Sequence, residues 1–173
     1  VHAIIDALNH IRNTNEINST KIKKIKIGSY QKTYEICHNP NPKTPYEAKF
    51  SAEYCAAMAI IKGRALRSDD FLKENLQAPL VRNLMNIVDL KVDEGCQNVF
   101  PKVRSAKIEV VTVDDEVFAH FAPTRKGDPD NPLSDSELSS KYTDLVEPVA
   151  GKPMGKALLS ALWSAEKLKC IKD

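Results

Sequence analysis

Apolar residues recur at helical spacing between His2 and Arg12, where Ile4, Ile5, Leu8 and Ile11 share one face. The polar run Asn13–Thr20 breaks that pattern and predicts a loop. From Ile22 to Ser29 the period changes to two. Ile22, Ile25 and Ile27 alternate with lysines, which predicts a half-buried strand with a solvated lysine face. Asn39 to Pro45 carries three prolines and predicts a loop. A helix follows from Thr44 to Gly63. Thr44 has an N-cap hydroxyl, Pro45 suits the first helical position, and Glu47 completes a capping box. Gly63 suits the left-handed turn that ends a helix.

Ser68, Asp69 and Asp70 open a short helix through Leu76, and Pro79 begins another that ends near Asn86. Ile87–Val92 alternates as a strand, and 94–104 reads as irregular. Ala106–Val113 and Val117–Ala122 form two strands of a hairpin turning at Asp114-Asp115. Pro123–Pro132 is rich in Pro, Asp and Gly and marks a boundary. Beyond it, Ser134 and Glu137 form a second capping box, with Leu138, Tyr142, Leu145 and Val149 at helical spacing. Lys156–Lys169 predicts a last amphipathic helix with Leu158, Leu162 and Leu168 on its stripe. The class is α+β: a small antiparallel sheet packed with helices over 1–124, then a hinge and C-terminal helical tail over 125–173. The apolar faces of that tail lack an obvious partner inside so small a unit.

The composition narrows the function. Charged residues make up 28%, aromatics 6%, and net charge is +2, which gives no footprint for nucleic acid. The Lys21–Lys26 run is read as the outer face of a strand, in preference to a phosphate or RNA patch. No apolar run approaches the ~20 residues of a membrane span. Cys37, Cys55, Cys96 and Cys170 lack Cys-x-x-Cys spacing, which favours reduced thiols in an intracellular setting over a disulfide framework. His2, His10, His38 and His120 are scattered without metal-ligand spacing, so no metal and no cofactor is expected.

Lys49, Ser51 and Tyr54 lie near the start of the Thr44 helix, the end that favours anions. Tyr54 shares a face with Phe50, Ala57 and Ile61, so its spacing alone also fits an ordinary core residue. A phenol can hydrogen-bond a carboxylate or pass a proton. His2 is either a solvated helix-start residue or an acid–base group near neutral pH. Arg125 and Lys126 sit in the presumed hinge, where they are candidates to reach an anionic substrate, though a solvated loop is the plainer reading.

Three segments resemble the MmgE/PrpD family. The first is Pro42-Lys43-Thr44-Pro45-Tyr46-Glu47-Ala48-Lys49-Phe50-Ser51, followed by Tyr54, a small-residue run and Gly63. The second is Val1–Leu8, similar to the helix opening of the family's smaller lid domain. The third is Lys126–Leu138, similar to the return segment into its large helical domain. The matches fall in family order. The family includes 2-methylcitrate dehydratase, cis-aconitate decarboxylase and iminodisuccinate epimerase. The resemblance implies cofactor-independent chemistry on a small polycarboxylate, with dehydration of a 2-methylcitrate-like acid expected first, and decarboxylation or epimerisation as the alternative. It implies Tyr54 and His2 as catalytic residues and Lys49 and Ser51 as substrate-binding ones. It also implies a homodimer, a helical domain in the same or a second chain, and a cytoplasmic setting (the mitochondrial matrix in a eukaryote). The chain is then the C-terminal, lid-containing part of an enzyme and is not expected to turn over substrate alone. A stand-alone, non-enzymatic interaction module is the reading from a different class.

Overall fold

The computed structural model describes residues 1–167. They form two compact units, Val1–Asn131 and the segment from Pro132 onward.

The first unit is built on a four-stranded sheet in the order β2-β1-β3-β4. The strands are β1 (Ile22–Ser29), β2 (Val88–Val92), β3 (Ala106–Thr112) and β4 (Val117–Ala122). β3 pairs antiparallel with β1 and with β4, whereas β1 and β2 are parallel, with Ile25 opposite Val88 and Ser29 opposite Val92. The sheet is therefore mixed and mostly antiparallel. The parallel pair is a consequence of the connection: a run of helices returns the chain to the same end before β2 begins. These helices are α2 (Gln31–Cys37), α3 (Pro45–Lys49), α4 (Ala52–Lys62), α5 (Lys73–Gln77) and α6 (Pro79–Asn86).

The alternation in β1 decides the orientation of the sheet. Ile22, Ile25 and Ile27 are buried, and the lysines between them face out. Lys24 pairs with Asp89 at 2.9 Å and Lys26 with Glu109 at 2.8 Å, so this charge run is a laced strand face. On the inner face lie α1 (His2–Thr14) and α4. α1 presents Ile4, Ala7, Leu8 and Ile11, all buried, to β3, β4 and α4. α4 is buried through most of its length and packs against α6 and β2. Gly63 ends α4 with φ of 62°, the left-handed cap its position demanded.

The Thr44–Gly63 segment differs from the single helix expected. It breaks at Phe50-Ser51 into α3 and α4. Ser51 is itself an N-cap, its Oγ accepting the Tyr54 N–H at 3.0 Å. The carbonyl of Ala48, at the end of α3, accepts the Ser51 N–H at 3.2 Å and the Cys55 Sγ–H at 3.5 Å. The Thr44 Oγ1 accepts from Glu47 N at 3.1 Å, but the Glu47 carboxylate reaches back to Lys43 N, at 2.8 Å. Ser68–Leu76, expected as one helix, is a 3-10 turn over Ser68–Phe71 followed by α5. Two helices appear where none was expected, α2 and α7 (Glu94–Val99). Asp93 caps α7 through Cys96 N at 2.9 Å. A Cβ on Gly28 would stand 2.9 Å from the Asp93 Cβ, so β1 needs glycine where α7 approaches.

The second unit is a pair of helices, α8 (Asp135–Ala150) and α9 (Lys152–Trp163). Its capping box is complete: Ser134 Oγ accepts from Glu137 N at 3.3 Å, and Glu137 Oε2 from Ser134 N at 2.8 Å. The Tyr142 hydroxyl donates to the Gly155 carbonyl and Trp163 Nε1 donates to Ser139 Oγ. Leu145, Val149, Met154, Leu158 and Leu162 are exposed. Leu168, Lys169 and Cys170 lie outside the described residues. Among the described residues no helix is long and apolar enough to cross a membrane.

Candidate functional site

A cleft of about 400 Å³ opens on the first unit. His2 enters it from the start of α1, Lys49 from the last turn of α3, Arg104 from the loop before β3, and Arg125 from the loop after β4. No carboxylate lines it among the described residues. Four basic side chains from four elements therefore meet in one concavity, and its field favours anions. Arg125 is held in a fork with Asp128, Nη2 to Oδ1 at 2.6 Å and Nε to Oδ2 at 3.0 Å. That pairing raises the Arg125 pKa and lowers that of Asp128, to which the Arg104 charge also contributes. The Lys49 Nζ lies 5.9 Å from the Phe71 ring centroid.

His2 is within electrostatic reach of Asp6, one helical turn on. Burial pushes the Asp6 carboxyl up, against the opposing pull of the Lys126 N–H that it accepts at 2.8 Å and of the His2 and Lys126 charges. The floor of the cleft is neutral. Ser29, Thr33 and Ser105 line it, each buried. Ser29 Oγ lies 3.1 Å from both Thr33 Oγ1 and the Ser105 carbonyl oxygen.

Two of the four residues singled out from sequence thus share the cleft: His2 and Lys49. The other two do not line it. Tyr54 is 0% exposed, and its hydroxyl donates to the Asp70 carbonyl at 2.6 Å. Burial, with Cys55 and Asp70 nearby, pushes its pKa well above that of a free phenol. Ser51 is also 0% exposed and spends its hydroxyl on the Asn39 carbonyl at 2.6 Å while capping α4. The break between α3 and α4 explains the difference. Lys49 ends one helix, whereas Tyr54 begins the next on its inward side.

Sequence reasoning missed Arg104, Ser105 and Glu53. Arg104 and Ser105 lie at the edge of the segment read as irregular, where no periodicity marks them. Glu53 is a buried carboxylate that accepts from Asn39 N at 3.1 Å and from the Nδ1–H of His38, which fixes that imidazole's tautomer. An N-cap hydroxyl at Ser51 followed by an acidic residue, Glu53, in the first turn was the local sign that a new helix starts there. Among the described residues no three His, Cys, Asp or Glu side chains converge as metal ligands.

The fold is a small α+β unit with a basic cleft. The chain belongs to the MmgE/PrpD family: the model of the MmgE/PrpD C-terminal domain matches residues 1–164. No curated protein matches the chain.

Proposed function

We propose that the basic cleft is the lid-side half of a lyase active site, and that it binds a small polycarboxylate of the 2-methylcitrate type. The observation that carries this reading is the meeting of His2, Lys49, Arg104 and Arg125 around one concavity that no Asp or Glu side chain lines among the described residues, Asp128 and Asp6 standing behind Arg125 and His2. Lys49 and Arg104 would hold carboxylates. His2, with Asp6 beside it, is the acid–base group available to move a proton. Dehydration removes a proton next to one carboxylate and expels a β-hydroxyl, and cations at the carboxylate stabilise the enediolate-like charge that develops. Decarboxylation or epimerisation of a related acid would use the same cations.

The catalytic assignment of Tyr54 rests on the family motif. It requires the bond to the Asp70 carbonyl to open in the complete enzyme. Ser51 has no free hydroxyl proton left for substrate in its present contacts.

The second wall of the cleft would come from a large helical domain, in the same or another chain, and the exposed Leu158–Leu162 face of α9 is the surface offered to it. The assembly is expected to be a cytoplasmic homodimer. Binding, not turnover, is therefore the activity to test with this chain. Calorimetry at low salt should detect citrate, and Arg104→Gln with Lys49→Ala should each weaken it about tenfold. Citrate affinity unchanged in both variants would remove the cleft from consideration.

A further inference from the structure

β4 is an edge of the sheet, and its open side is apolar. Thr112 N donates to the Glu116 carbonyl at 2.9 Å, and the register places Val110 opposite Phe118 and Ile108 opposite His120. Bonded and non-bonded pairs alternate along an antiparallel ladder. Phe118, His120 and Ala122 therefore bond to β3, and the N–H and C=O groups of Val117, Ala119 and Phe121 point off the edge. The side chains of these three stand on the outer face, whereas His120 faces inward and stacks on His10 of α1. All three are exposed, Val117 at 59% and Phe121 at 51%.

The opposite edge is built for water. β2 carries Asp89 and Lys91, paired at 3.1 Å, and the outer face beside it is laced by Lys24–Asp89 and Lys26–Glu109. Charges of this kind keep an edge from pairing. β4 has no Asp, Glu, Lys or Arg. Its charges lie beyond its ends and differ in sign: Asp114, Asp115 and Glu116 in the turn before it, Arg125 and Lys126 after it.

A strand with this layout is complementary to itself. Laid antiparallel about a two-fold axis at Ala119, it sets Val117 of each copy opposite Phe121 of the other. Each facing pair exchanges both of its backbone bonds and joins apolar side chains on the outer face. The same register brings the acidic turn of each copy alongside the basic segment that follows β4 in the other, so the charges match as well. We propose that β4 pairs with β4 of a second copy of this chain, joining two four-stranded sheets into one continuous sheet. This contact depends neither on the reading of the cleft nor on a helical domain.

An edge of this length falls short of the ~1,200–2,000 Å² that a standard interface buries, so the dimer should be concentration-dependent. Sedimentation velocity on the intact chain should show monomer at about 5 µM and mostly dimer at about 500 µM. Ala119→Pro removes an N–H that β3 does not use, and Phe121→Lys puts an ammonium into the seam. Each should weaken dimerisation at least ~10-fold. Melting curves check that both variants are folded, and Phe121→Lys leaves the backbone untouched. Hydrogen exchange gives a second readout that needs no variant. The amides of Val117, Ala119 and Phe121 should gain protection as concentration rises, while those of Phe118 and His120 stay protected throughout. A chain still monomeric at about 500 µM overturns the proposal, and so does a dimer that both variants leave intact. Protection of the Val117, Ala119 and Phe121 amides in the monomer would mean that another segment of this chain covers the edge, which overturns it too.

Discussion

The Ser51 hydroxyl holds the first turn of the helix that carries Tyr54: its Oγ accepts the Tyr54 N–H at 3.0 Å and donates to the Asn39 carbonyl at 2.6 Å. One small side chain thus joins the proline loop, the end of α3 and the start of α4. Ser51→Ala removes the cap and leaves a buried carbonyl unpaired. The expected cost is about 1–2 kcal/mol. Denaturant titration should show a lower midpoint with an unchanged slope.

Tyr54→Phe tests two ideas in one variant. Losing the bond to the Asp70 carbonyl should cost about 1 kcal/mol, or roughly 2–4 °C in melting temperature for a chain of this size. In the complete enzyme, a proton-transfer role predicts a loss of roughly 10²-fold or more in turnover. A melting shift with turnover within a few-fold of wild type would limit Tyr54 to the structural part.

Asp70 should make the unit sensitive to acid. Burial works to raise its carboxyl pKa. The Arg64 guanidinium, the Arg67 N–H and Lys62 outweigh that effect, and the net shift is downward. Arg64 grips both oxygens, at 2.8 and 3.0 Å. A carboxyl whose folded pKa is lowered binds fewer protons than the unfolded chain. Its stabilisation is therefore present above the ordinary value of ~3.9 and is lost as pH falls through the folded value. Asp70→Asn should cost about 1.5–3 kcal/mol at neutral pH and flatten the acid limb of the stability curve. An acid limb of unchanged slope in the variant would refute this.

His120 should titrate below a free imidazole. Burial lowers its pKa first, and the charge of His10, stacked on it at 3.9 Å between centroids, lowers it further. A lowered histidine pKa means that the unfolded state takes up the proton first. Stability contributed by this group is present above ~6.5 and lost as pH falls below it. In an NMR titration, His10→Ala should move the His120 midpoint upward but not fully to ~6.5, since burial remains.

Strong periodicity was legible along the chain, and weak periodicity was not. β1 and α6 fall on the residues expected because their apolar positions and the starting proline of α6 agree with their tertiary burial. The α2 helix carries Tyr34 and Ile36 on its exposed side and buries Thr33 and Cys37, an inverted pattern that no apolar stripe announces. α7 buries only Cys96 and depends on its Asp93 cap. The break at Ser51 was hidden because the Thr44-Pro45 start on one side and the alanine-rich run on the other look like one helix. Parallel pairing of β1 with β2 is set by the helices between them, and no strand pattern encodes it.

For the site, His2 and Lys49 were found through a family motif, and the motif could not show that they face one cleft. Arg104 and Arg125 reach it from loops far along the chain, and only the sheet's register brings them there. Tyr54 and Ser51 sit in the same motif as Lys49 but on the inward side of the break.

The placement of α1 has a bearing on synthesis. Ile4, Leu8 and Ile11 are made long before the strands they cover, β3 and β4, which end at Ala122. Until that residue has left the ribosomal tunnel, the apolar stripe of α1 has no sheet to lie on. Within this unit α1 therefore waits with its apolar stripe uncovered, and the cleft, lined by His2 at one end of the unit and Arg125 at the other, closes only after β4 is made.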